Sequence, residues 1–392
     1  MLTVDTTNPY PQNADPALRS LELFKPQVLD PKAPGVMLGL FMPNLSFGHW
    51  PTTAARGTEW TYDYNKRAAQ LSEKIGFHFL LPAARWKGLK GDEIEYWGAS
   101  LDTMTLASAL AEATSRIAVM TTMHTNIINP VVAAKMCAGM DQISNGRLVL
   151  NVVSGWNDDE FRSMNVSLIV SRSERYQYTR EWLDIVRELW STGRCTYKGR
   201  FFQIEDATAH PLPVQTPRPV IVNAGQSYTG MNFAASEADF LFTRSERAGD
   251  WQEIAAKTGR DVGYIALQRV IVRPTQEEAD AVCEDILANC DMGAVRRNRL
   301  SNGASTEETV DEWLADPNNV AKAIFEGAFV GTPEKVARQL ADLVIESKPN
   351  GICLILYDHL MELRLIGAEV MPRLDALLAE HGMQIAPPLS EA

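Results

Sequence analysis

The sequence predicts an α/β fold, a (β/α)8 TIM barrel with insertions that forms a single domain over residues 34–385. Eight short apolar runs end at turn residues, as strands buried on both faces of a parallel sheet do. Segments with helical spacing of apolar residues separate these runs. The composition does not change along the chain in a way that marks a second domain. An open, doubly wound sheet is the alternative, although no GxGxxG motif follows a predicted strand.

The predicted strands are recognised by continuous apolar residues bounded by Gly, Pro, Asn, Asp or Ser. The first of them, with the sequence VMLGLFMP, is typical of a strand covered by helices on both sides. In chain order the predicted strands are Val36–Pro43, Phe77–Leu81, Ile117–Thr122, Leu148–Val153, Val220–Ala224, Asp239–Phe242, Gly263–Val272 and Gly351–Leu356.

The predicted helices are recognised by their apolar periodicity and by residues that start or end a helix. Gly76 ends the first helix, because glycine readily adopts the left-handed conformation of a helix C-terminus. Thr332 and Pro333 start another, as a cap followed by a residue suited to the first turn. The predicted helices are Tyr64–Ile75, Leu101–Thr114, Pro130–Ser144, Glu174–Ser191, Tyr228–Glu237, Gln276–Asn289, Pro333–Glu346 and Leu360–His381.

Four segments fall outside this alternation. Residues 1–33, rich in Pro, Asn and Asp, are predicted to form an arm over the body or over a partner subunit. The loop 44–61 is long enough to act as a lid. Residues 196–205 predict a surface hairpin that turns at Gly199. Residues 291–328 are polar and irregular with short helical pieces, and are interpreted as an insertion.

Composition excludes several classes of function. A formal net charge of −12 argues against nucleic acid or an anionic membrane as a partner. The N-terminus lacks the basic and apolar parts of a secretory signal, and no apolar run approaches the roughly 20 residues that span a bilayer, so we expect a cytoplasmic protein. The five cysteines form no CxxC pair and the six histidines no HxH or HExxH spacing, so we predict no metal site.

The stretch that follows Arg147 is the first candidate for chemistry. Asn151 interrupts an otherwise apolar strand, and a buried amide must find hydrogen-bond partners. Trp156 and Glu160 follow the end of that strand, which is where barrels keep their active sites. The alternative is a core amide satisfied by neighbouring backbone, followed by an ordinary loop.

Two stretches could bind a phosphate. Gly225-Gln226-Ser227 follows a strand and opens a helix, whose first N–H groups favour an anion. Alternatively, Ser227 only caps that helix. Arg175 and Tyr176, in the stretch 171–176, lie at the start of another helix and could clamp a phosphate by charge and hydroxyl. The alternative there is a solvated first turn.

Two further stretches could hold a small molecule. Residues 121–126 place threonine hydroxyls at the end of a strand, where they either position a ligand or bond back to the chain. Residues 84–88 and 95–97 are rich in Trp and charged side chains, which suits stacking on a flat ring. For residues 84–88 and 95–97, the alternative is ordinary surface packing of Trp on Arg.

Together these stretches resemble the bacterial luciferase-like flavin monooxygenases, most closely the group of the pyrimidine oxygenases and dimethyl sulfone monooxygenases. The resemblance runs from about Val36 to Leu374. The matching stretches are Glu95-Tyr96-Trp97, Thr114-Ser115-Arg116-Ile117, residues 141–147, Asn151–Trp156, Ser173 with Arg175 and Tyr176, Lys198–Phe202, Ala224–Ser227 and Gly331-Thr332-Pro333.

The resemblance implies a barrel that receives reduced FMN from a separate NAD(P)H:flavin reductase and uses O2 as co-substrate. It implies that Thr122 and Asn151 flank the reactive edge of the flavin and that Trp156 faces the substrate. The positions that it assigns to flavin contact are Ala84, Arg85, Glu160, Arg175, Tyr176, Gly225, Gln226 and Ser227, besides Asn151. At the position that corresponds to Arg85, the pyrimidine oxygenases carry Lys instead.

The function that the resemblance implies is an FMNH2-dependent monooxygenase that cleaves a C–N bond of a small cyclic amide or heterocycle. Alternatives are a sulfone monooxygenase that cleaves C–S bonds, a flavin-degrading oxygenase, a deazaflavin-dependent dehydrogenase and a non-catalytic flavin carrier. The resemblance also implies a homodimer or homotetramer.

Overall fold

The computed structural model describes residues 35–166, 172–301 and 306–389. The predicted arm, residues 1–33, lies outside the described residues. The strands are β1 Gly35–Phe41, β2 Phe79–Leu81, β3 Leu89–Lys90, β4 Glu95–Tyr96, β5 Ala118–His124, β6 Leu148–Val153, β7 Arg194–Lys198, β8 Gln203–Thr208, β9 Val220–Asn223, β10 Phe240–Thr243, β11 Gly263–Val272, β12 Phe329–Gly331, β13 Gly351–Leu356 and β14 Gln384–Ile385.

Helices alternate with the longer strands. They are α1 Tyr62–Ile75, α2 Thr103–Ala113, α3 Pro130–Ile143, α4 Asp158–Ser163, α5 Arg172–Thr192, α6 Tyr228–Glu237, α7 Ala248–Ala256, α8 Gln276–Ala288, α9 Met292–Ser301, α10 Glu307–Leu314, α11 Pro317–Phe325, α12 Pro333–Ser347, α13 His359–Leu365 and α14 Met371–Ala379.

Eight parallel strands close into a barrel. Their order around it is β1, β2, β5, β6, β9, β10, β11 and β13, and β13 pairs with β1 to complete the ring. This closure confirms the predicted (β/α)8 barrel and excludes the open sheet. Each of the eight predicted strands corresponds to one of these barrel strands, with ends that differ by up to two residues.

Large side chains fill the interior of the barrel. Phe79, Phe240 and Phe242 are at most 1% exposed and belong to one cluster inside the ring of strands. Gly39 on β1 makes room for them, because a Cβ atom there would lie 2.1 Å from a ring carbon of Phe79. A filled interior leaves the carboxyl ends of the strands as the place for a site.

Replacing Gly39 by Ala is therefore expected to destabilise the protein by about 1–3 kcal/mol, since the Phe79 ring must leave its position in a packed core. Gly139 in α3 is the matched control, because no atom lies within 4 Å of its built Cβ. There, Gly→Ala should stabilise the helix by about 0.5–1 kcal/mol. Urea unfolding of both variants measures the difference, and equal effects would contradict the packing account.

The predicted final helix Leu360–His381 is interrupted. A π-helical turn, Ile366–Val370, separates α13 from α14. Pro372 in the first turn of α14 lacks the N–H that an uninterrupted α-helix would use, and the wider turn accommodates this loss. The prediction was wrong in treating this segment as one regular helix.

The predicted insertion 291–328 is more regular than expected, with α9, α10 and α11 in its described part. Asp291 ties its start to the β3–β4 hairpin. Its carboxylate accepts hydrogen bonds from the backbone N–H groups of Asp92, Glu93 and Ile94 at 2.7–2.9 Å. The short hairpin and the insertion therefore form one layer over the barrel.

Arg147 has a structural role in that frame. It is 5% exposed, and its guanidinium donates five hydrogen bonds to Ser144, Thr114, Ile117 and Ala111, four of them to carbonyl oxygens. Those carbonyls include the free ones at the end of α2, which need donors. Part of the sequence pattern that suggested a family thus holds the barrel together rather than contacting a ligand.

Among the described residues, no helix is both long enough and apolar enough to cross a bilayer.

Candidate active site

Thr122 on β5 and Asn151 on β6 lie side by side near the carboxyl ends of their strands, where the strand register pairs them directly. The Asn151 amide donates to Thr122 Oγ1 at 3.0 Å, and Thr122 Oγ1 donates to the carbonyl of Pro82 at 3.2 Å. The side-chain oxygen of Asn151, Oδ1, is buried, and no described residue donates to it. The pair therefore presents a free acceptor to a bound molecule, in contrast to the fully satisfied core amide that was the alternative.

Glu160 on α4 fixes the loop after β2. Its carboxylate is 0% exposed, and Oε1 accepts hydrogen bonds from the backbone N–H groups of Trp86 at 2.5 Å and Lys87 at 3.3 Å. The other oxygen, Oε2, is buried without a donor in the described part of the chain. Glu160 thus places the loop that carries Ala84 and Arg85, and keeps one acceptor for a ligand.

Arg85 lies between two tryptophan rings. Its guanidinium carbon is 4.3 Å from the ring centre of Trp97 and 4.8 Å from that of Trp156. Burial lowers the pKa of Arg85, while the Glu160 carboxylate partly offsets this effect. The Nε atom is buried and has no acceptor among the described residues. Trp156, at 36% exposed, forms the outer wall of this cluster.

His124 extends the same wall. The indole N–H of Trp86 donates to His124 Nδ1 at 3.3 Å, and the ring of Phe161 packs edge-on at 5.5 Å. Burial, with a further contribution from the charge on Arg85, lowers the pKa of His124 to about 3. The imidazole is therefore neutral, which its role as an acceptor requires.

We expect the His124 ring not to titrate between about pH 5 and about pH 9. The pKa of His124 is about 3 in the folded protein and 6.5 in the unfolded chain, so as the pH falls the unfolded chain takes up this proton first. The stability that the neutral ring contributes is therefore fully present above pH 6.5 and is lost as the pH falls towards 3. Its ring C–H resonance, assigned with a His124→Gln variant, should stay constant. A midpoint near neutral pH would contradict the buried, neutral imidazole.

Gly225 and Tyr176, one from each of the two predicted phosphate-binding stretches, lie close together. A Cβ atom on Gly225 would lie 2.8 Å from the Tyr176 hydroxyl and 2.8 Å from the Cα of Gly230, so only glycine fits without rearrangement. The Gly225 N–H donates to the side chain of Asn223 at 2.9 Å. The Tyr176 ring packs on Phe233 with centres 5.0 Å apart. Two predicted binding positions from α5 and from the loop after β9 are thus brought together.

The side chains of Gln226 and Ser227 are engaged within the protein. Ser227 Oγ accepts from the N–H of Gly230 at 3.1 Å, which is the helix-cap geometry of the alternative interpretation. Gln226 donates to the carbonyl of Phe242 at 2.7 Å and accepts from the Thr243 hydroxyl at 3.0 Å. These contacts position the loop after β9 against the end of β10.

Arg175 joins the first turn of α5 to the loop after β6. Its guanidinium donates to the carbonyl of Gly155 at 3.5 Å and pairs with Asp158 at 3.4 Å. Ser171, part of the same predicted phosphate motif, lies outside the described residues. The predicted set therefore forms contacting groups: Thr122 with Asn151, Arg85 with Trp156, Glu160 with the loop of Ala84, Arg175 with the loop after β6, and Tyr176 with Gly225.

The segment predicted as a lid, residues 44–61, is packed in place. The indole of Trp50 is 0% exposed and donates to the carbonyl of Leu356 at the end of β13, at 3.2 Å. The Thr53 N–H donates to Asn289 and the Asp291 N–H donates to Pro51, both at 2.9 Å. This segment covers the carboxyl end of the barrel, and its movement stays a prediction.

A cavity of about 650 Å3 adjoins these groups. Its walls include Trp97 and Gln226, and also four arginines, Arg244, Arg247, Arg269 and Arg299. Sequence reasoning missed the arginines, because they come from the ends of β10 and β11 and from α9. No local motif connects residues so far apart in the chain.

Comparison with known proteins agrees with this geometry. The luciferase-like monooxygenase family model matches residues 38–347. The pyrimidine monooxygenase RutA of Methylorubrum extorquens strain PA1 is 33% identical over 351 residues, which cover 86% of this chain and 93% of that protein.

Solved structures show the same fold. A long-chain alkane monooxygenase (LadA) superposes with a TM-score of 0.78 at 20% identity, over 92% of this chain and 94% of the other. A riboflavin lyase (RcaE), solved with modified FMN and the substrate riboflavin, gives a TM-score of 0.77 at 20% identity, over 91% and 94%. The chain thus belongs to the luciferase-like monooxygenase family and is a flavin-dependent monooxygenase.

Proposed function

We propose that this protein is a two-component monooxygenase that uses reduced FMN and O2 to oxygenate and cleave a C–N bond in a small cyclic amide or heterocycle. The observation that carries this proposal is the Thr122–Asn151 pair, which presents a free amide oxygen at the carboxyl end of the barrel. The 33% identity to a pyrimidine monooxygenase supports the C–N class of reaction. Homodimer or homotetramer formation is part of the proposal.

The residues present fit a flavin at this site. Two buried acceptors that receive no hydrogen bond from the described residues, Asn151 Oδ1 and Glu160 Oε2, are available to the N–H groups of an isoalloxazine ring. Arg85, held between Trp97 and Trp156, would form a flat cationic wall beside the ring. When bound, reduced flavin supplies the electrons that activate O2.

The other end of the cofactor would lie near Tyr176 and Gly225. The Gly225 backbone allows close approach, and the N–H groups that open α6 favour an anion such as the FMN phosphate. Arg175, 14% exposed in its side chain, can exchange its 3.4 Å contact with Asp158 for a phosphate oxygen. Ser227 would keep the helix start in place.

In the reaction, Asn151 and Thr122 would hold oxygen and the reacting edge of the cofactor in fixed positions. The Asn151 N–H donates to Thr122 Oγ1, which in turn donates to Pro82, so each polar group keeps one orientation. The Asn151 amide has a second N–H besides the one given to Thr122, and this fixed donor would stabilise developing negative charge without reorganisation. The packed segment 44–61 would exclude water from the site. Trp156 would face the substrate.

Reduced FMN would come from a separate NAD(P)H:flavin reductase, because no nicotinamide-binding GxGxxG motif follows a strand in the sequence.

One assay tests the proposed function. The protein is mixed in air with FMN, NADH and a general flavin reductase, and uracil, dimethyl sulfone and riboflavin are supplied separately. Mass spectrometry with isotopically labelled O2 follows the products. A ring-opened product of uracil or another cyclic amide that carries the label supports the proposal. Labelled product only from the sulfone, only from riboflavin, or turnover only with deazaflavin in the absence of O2 would replace the proposal with the corresponding alternative.

A further inference from the structure

A cavity of about 650 Å3 borders the proposed site. It shares Trp97 with the Arg85 cluster and Gln226 with the loop after β9. Its other walls come from the end of β10, from β11, and from α9 and α11 in the insertion. The cavity therefore adjoins the proposed flavin site and is large enough for a small organic molecule.

The charge of the cavity is opposite to that of the protein. Four guanidinium groups and one carboxylate, Glu326, line it, whereas the whole chain has a formal charge of −12. Arg247 is already engaged, since it pairs with Asp250 at 2.9 Å and donates to the carbonyl of Gln226. Arg244, Arg269 and Arg299 form no ion pair within the described ranges.

Each of these three arginines is placed to bind an anion. Burial lowers the pKa of Arg269, whose Nη1 donates to the carbonyl of Ile324 at 2.7 Å. The charge on Arg244 lies close enough to act against that of Arg269. Arg299 stacks on the ring of Trp313 at 3.5 Å, and its buried Nε has no acceptor in the described part of the chain. Glu326 partly offsets the charge on Arg269, but the arginines outnumber this single carboxylate, and a bound anion relieves their mutual repulsion.

Aromatic and uncharged side chains form another part of the lining. Tyr96 and Trp97 stack with ring centres 4.2 Å apart, and burial raises the pKa of Tyr96, so its phenol is neutral. Burial, with the charges of Arg269 and Arg85 next, lowers the pKa of His49 to about 3, so its ring is neutral as well. Its Nε2 is buried without a partner among the described residues. The cavity thus offers a cationic wall and a flat neutral wall.

We infer that the substrate of this enzyme is an organic anion, whose carboxylate or comparable oxyanion groups bind Arg244, Arg269 and Arg299 while its neutral part lies against Tyr96 and Trp97. This inference rests on the proposed function, because it assigns the substrate class of the same site. Planar guanidinium groups match the two oxygens of a carboxylate. A neutral pyrimidine such as uracil brings no negative charge to these cations and is the weaker ligand.

The test measures binding in the absence of flavin. Calorimetry on flavin-free protein compares uracil-6-carboxylate with uracil-6-carboxamide, and isophthalate with isophthalamide. We expect at least one carboxylate to bind ten or more times more tightly than its amide, with an affinity that falls as salt rises. If neither carboxylate exceeds its amide, the inference is overturned.

Variants show whether the arginines cause the preference. Arg244→Gln and Arg269→Gln should each reduce the preference for the carboxylate by about tenfold. Arg244 is exposed, so its variant is expected to fold even if the Arg269 variant does not. Arg297→Gln is the matched control, because this exposed arginine lies on the same helix as Arg299 but outside the cavity. A preference that survives in both cavity variants overturns the inference.

A second pair of ligands separates the cavity from the site of the flavin phosphate. If Arg244→Gln and Arg269→Gln abolish the preference for FMN over riboflavin, the arginines bind the cofactor, and the inference fails while the proposed function stands. If the unchanged protein binds neither flavin, the proposed function fails, and the calorimetry still decides whether the cavity selects anions. An unchanged preference for FMN together with a lost preference for the carboxylate supports the inference.

Discussion

Asn151→Ala is expected to lower the rate of substrate oxygenation by about 100- to 1000-fold, while the Kd for FMN rises by no more than about tenfold, as the loss of one hydrogen bond to the ring would cause. The amide holds the Thr122 hydroxyl at 3.0 Å and presents its own carbonyl oxygen to the site. Alanine removes the amide donor that would stabilise developing negative charge and frees the Thr122 hydroxyl. Flavin affinity should persist, because Arg175, Tyr176 and the loop at Gly225 are unchanged.

Product formation and hydrogen peroxide are measured together in the coupled assay. The Asn151→Ala variant should consume NADH and O2 and release peroxide, because activation of oxygen is no longer coupled to the substrate. Asn232→Ala is the control, since this exposed asparagine donates to the carbonyl of Tyr228 within its own helix, α6. Full oxygenation by the Asn151 variant would end the proposed role of the pair, and complete loss of FMN binding would show that Asn151 acts mainly by holding the cofactor.

Glu362→Gln is expected to reduce the free energy of unfolding by about 3–5 kcal/mol. The carboxylate is 0% exposed and pairs with Arg273 at 2.5 Å. It also accepts from the backbone N–H groups of Tyr357 at 2.8 Å and Asp358 at 2.9 Å. An amide in its place leaves the charge of Arg273 uncompensated and turns an N–H group towards other donors.

Urea unfolding measures this difference in the free energy of unfolding, on the condition that the variant and the unchanged protein have equal m values. Glu369→Gln is the matched control, because Glu369 forms a half-exposed pair with Arg373 at 3.3 Å, worth less than about 0.5 kcal/mol. The Glu362 variant should also loosen the cover of the site, since the Thr58 hydroxyl donates to the carbonyl of Tyr357 at 2.9 Å. Equal stability of the two variants would show that the buried pair contributes little.

The strands were predictable because a parallel barrel buries both faces of each strand. Such strands are continuous apolar runs, as at Leu148–Val153, and their turn residues mark the ends. The two-residue strands β3 and β4 were missed, since they are too short to have a period. The prediction of a single final helix was wrong, because the sequence does not show whether the turn before Pro372 widens into a π-helical turn.

The site residues were predictable where they follow a strand, as with Thr122, Asn151 and Gly225. Their partners were not predictable. The hydrogen bond of Glu160 to the Trp86 backbone joins positions 74 residues apart, and Arg85 meets Trp97 and Trp156 from two different loops. Nor could the sequence tell that Ser227 caps its helix while Asn151 keeps a free acceptor.

The sequence by itself determined the barrel and the strand ends that carry polar residues, since both follow from local patterns of apolar and turn residues, and its resemblance to known sequences indicated the family. Only the tertiary structure decided which polar atoms stay without partners and that Arg244, Arg269 and Arg299 line one cavity. Closing eight parallel strands brings the loops at their carboxyl ends together regardless of chain separation. The charge and shape of the pocket arise from that closure, and no single segment contains them.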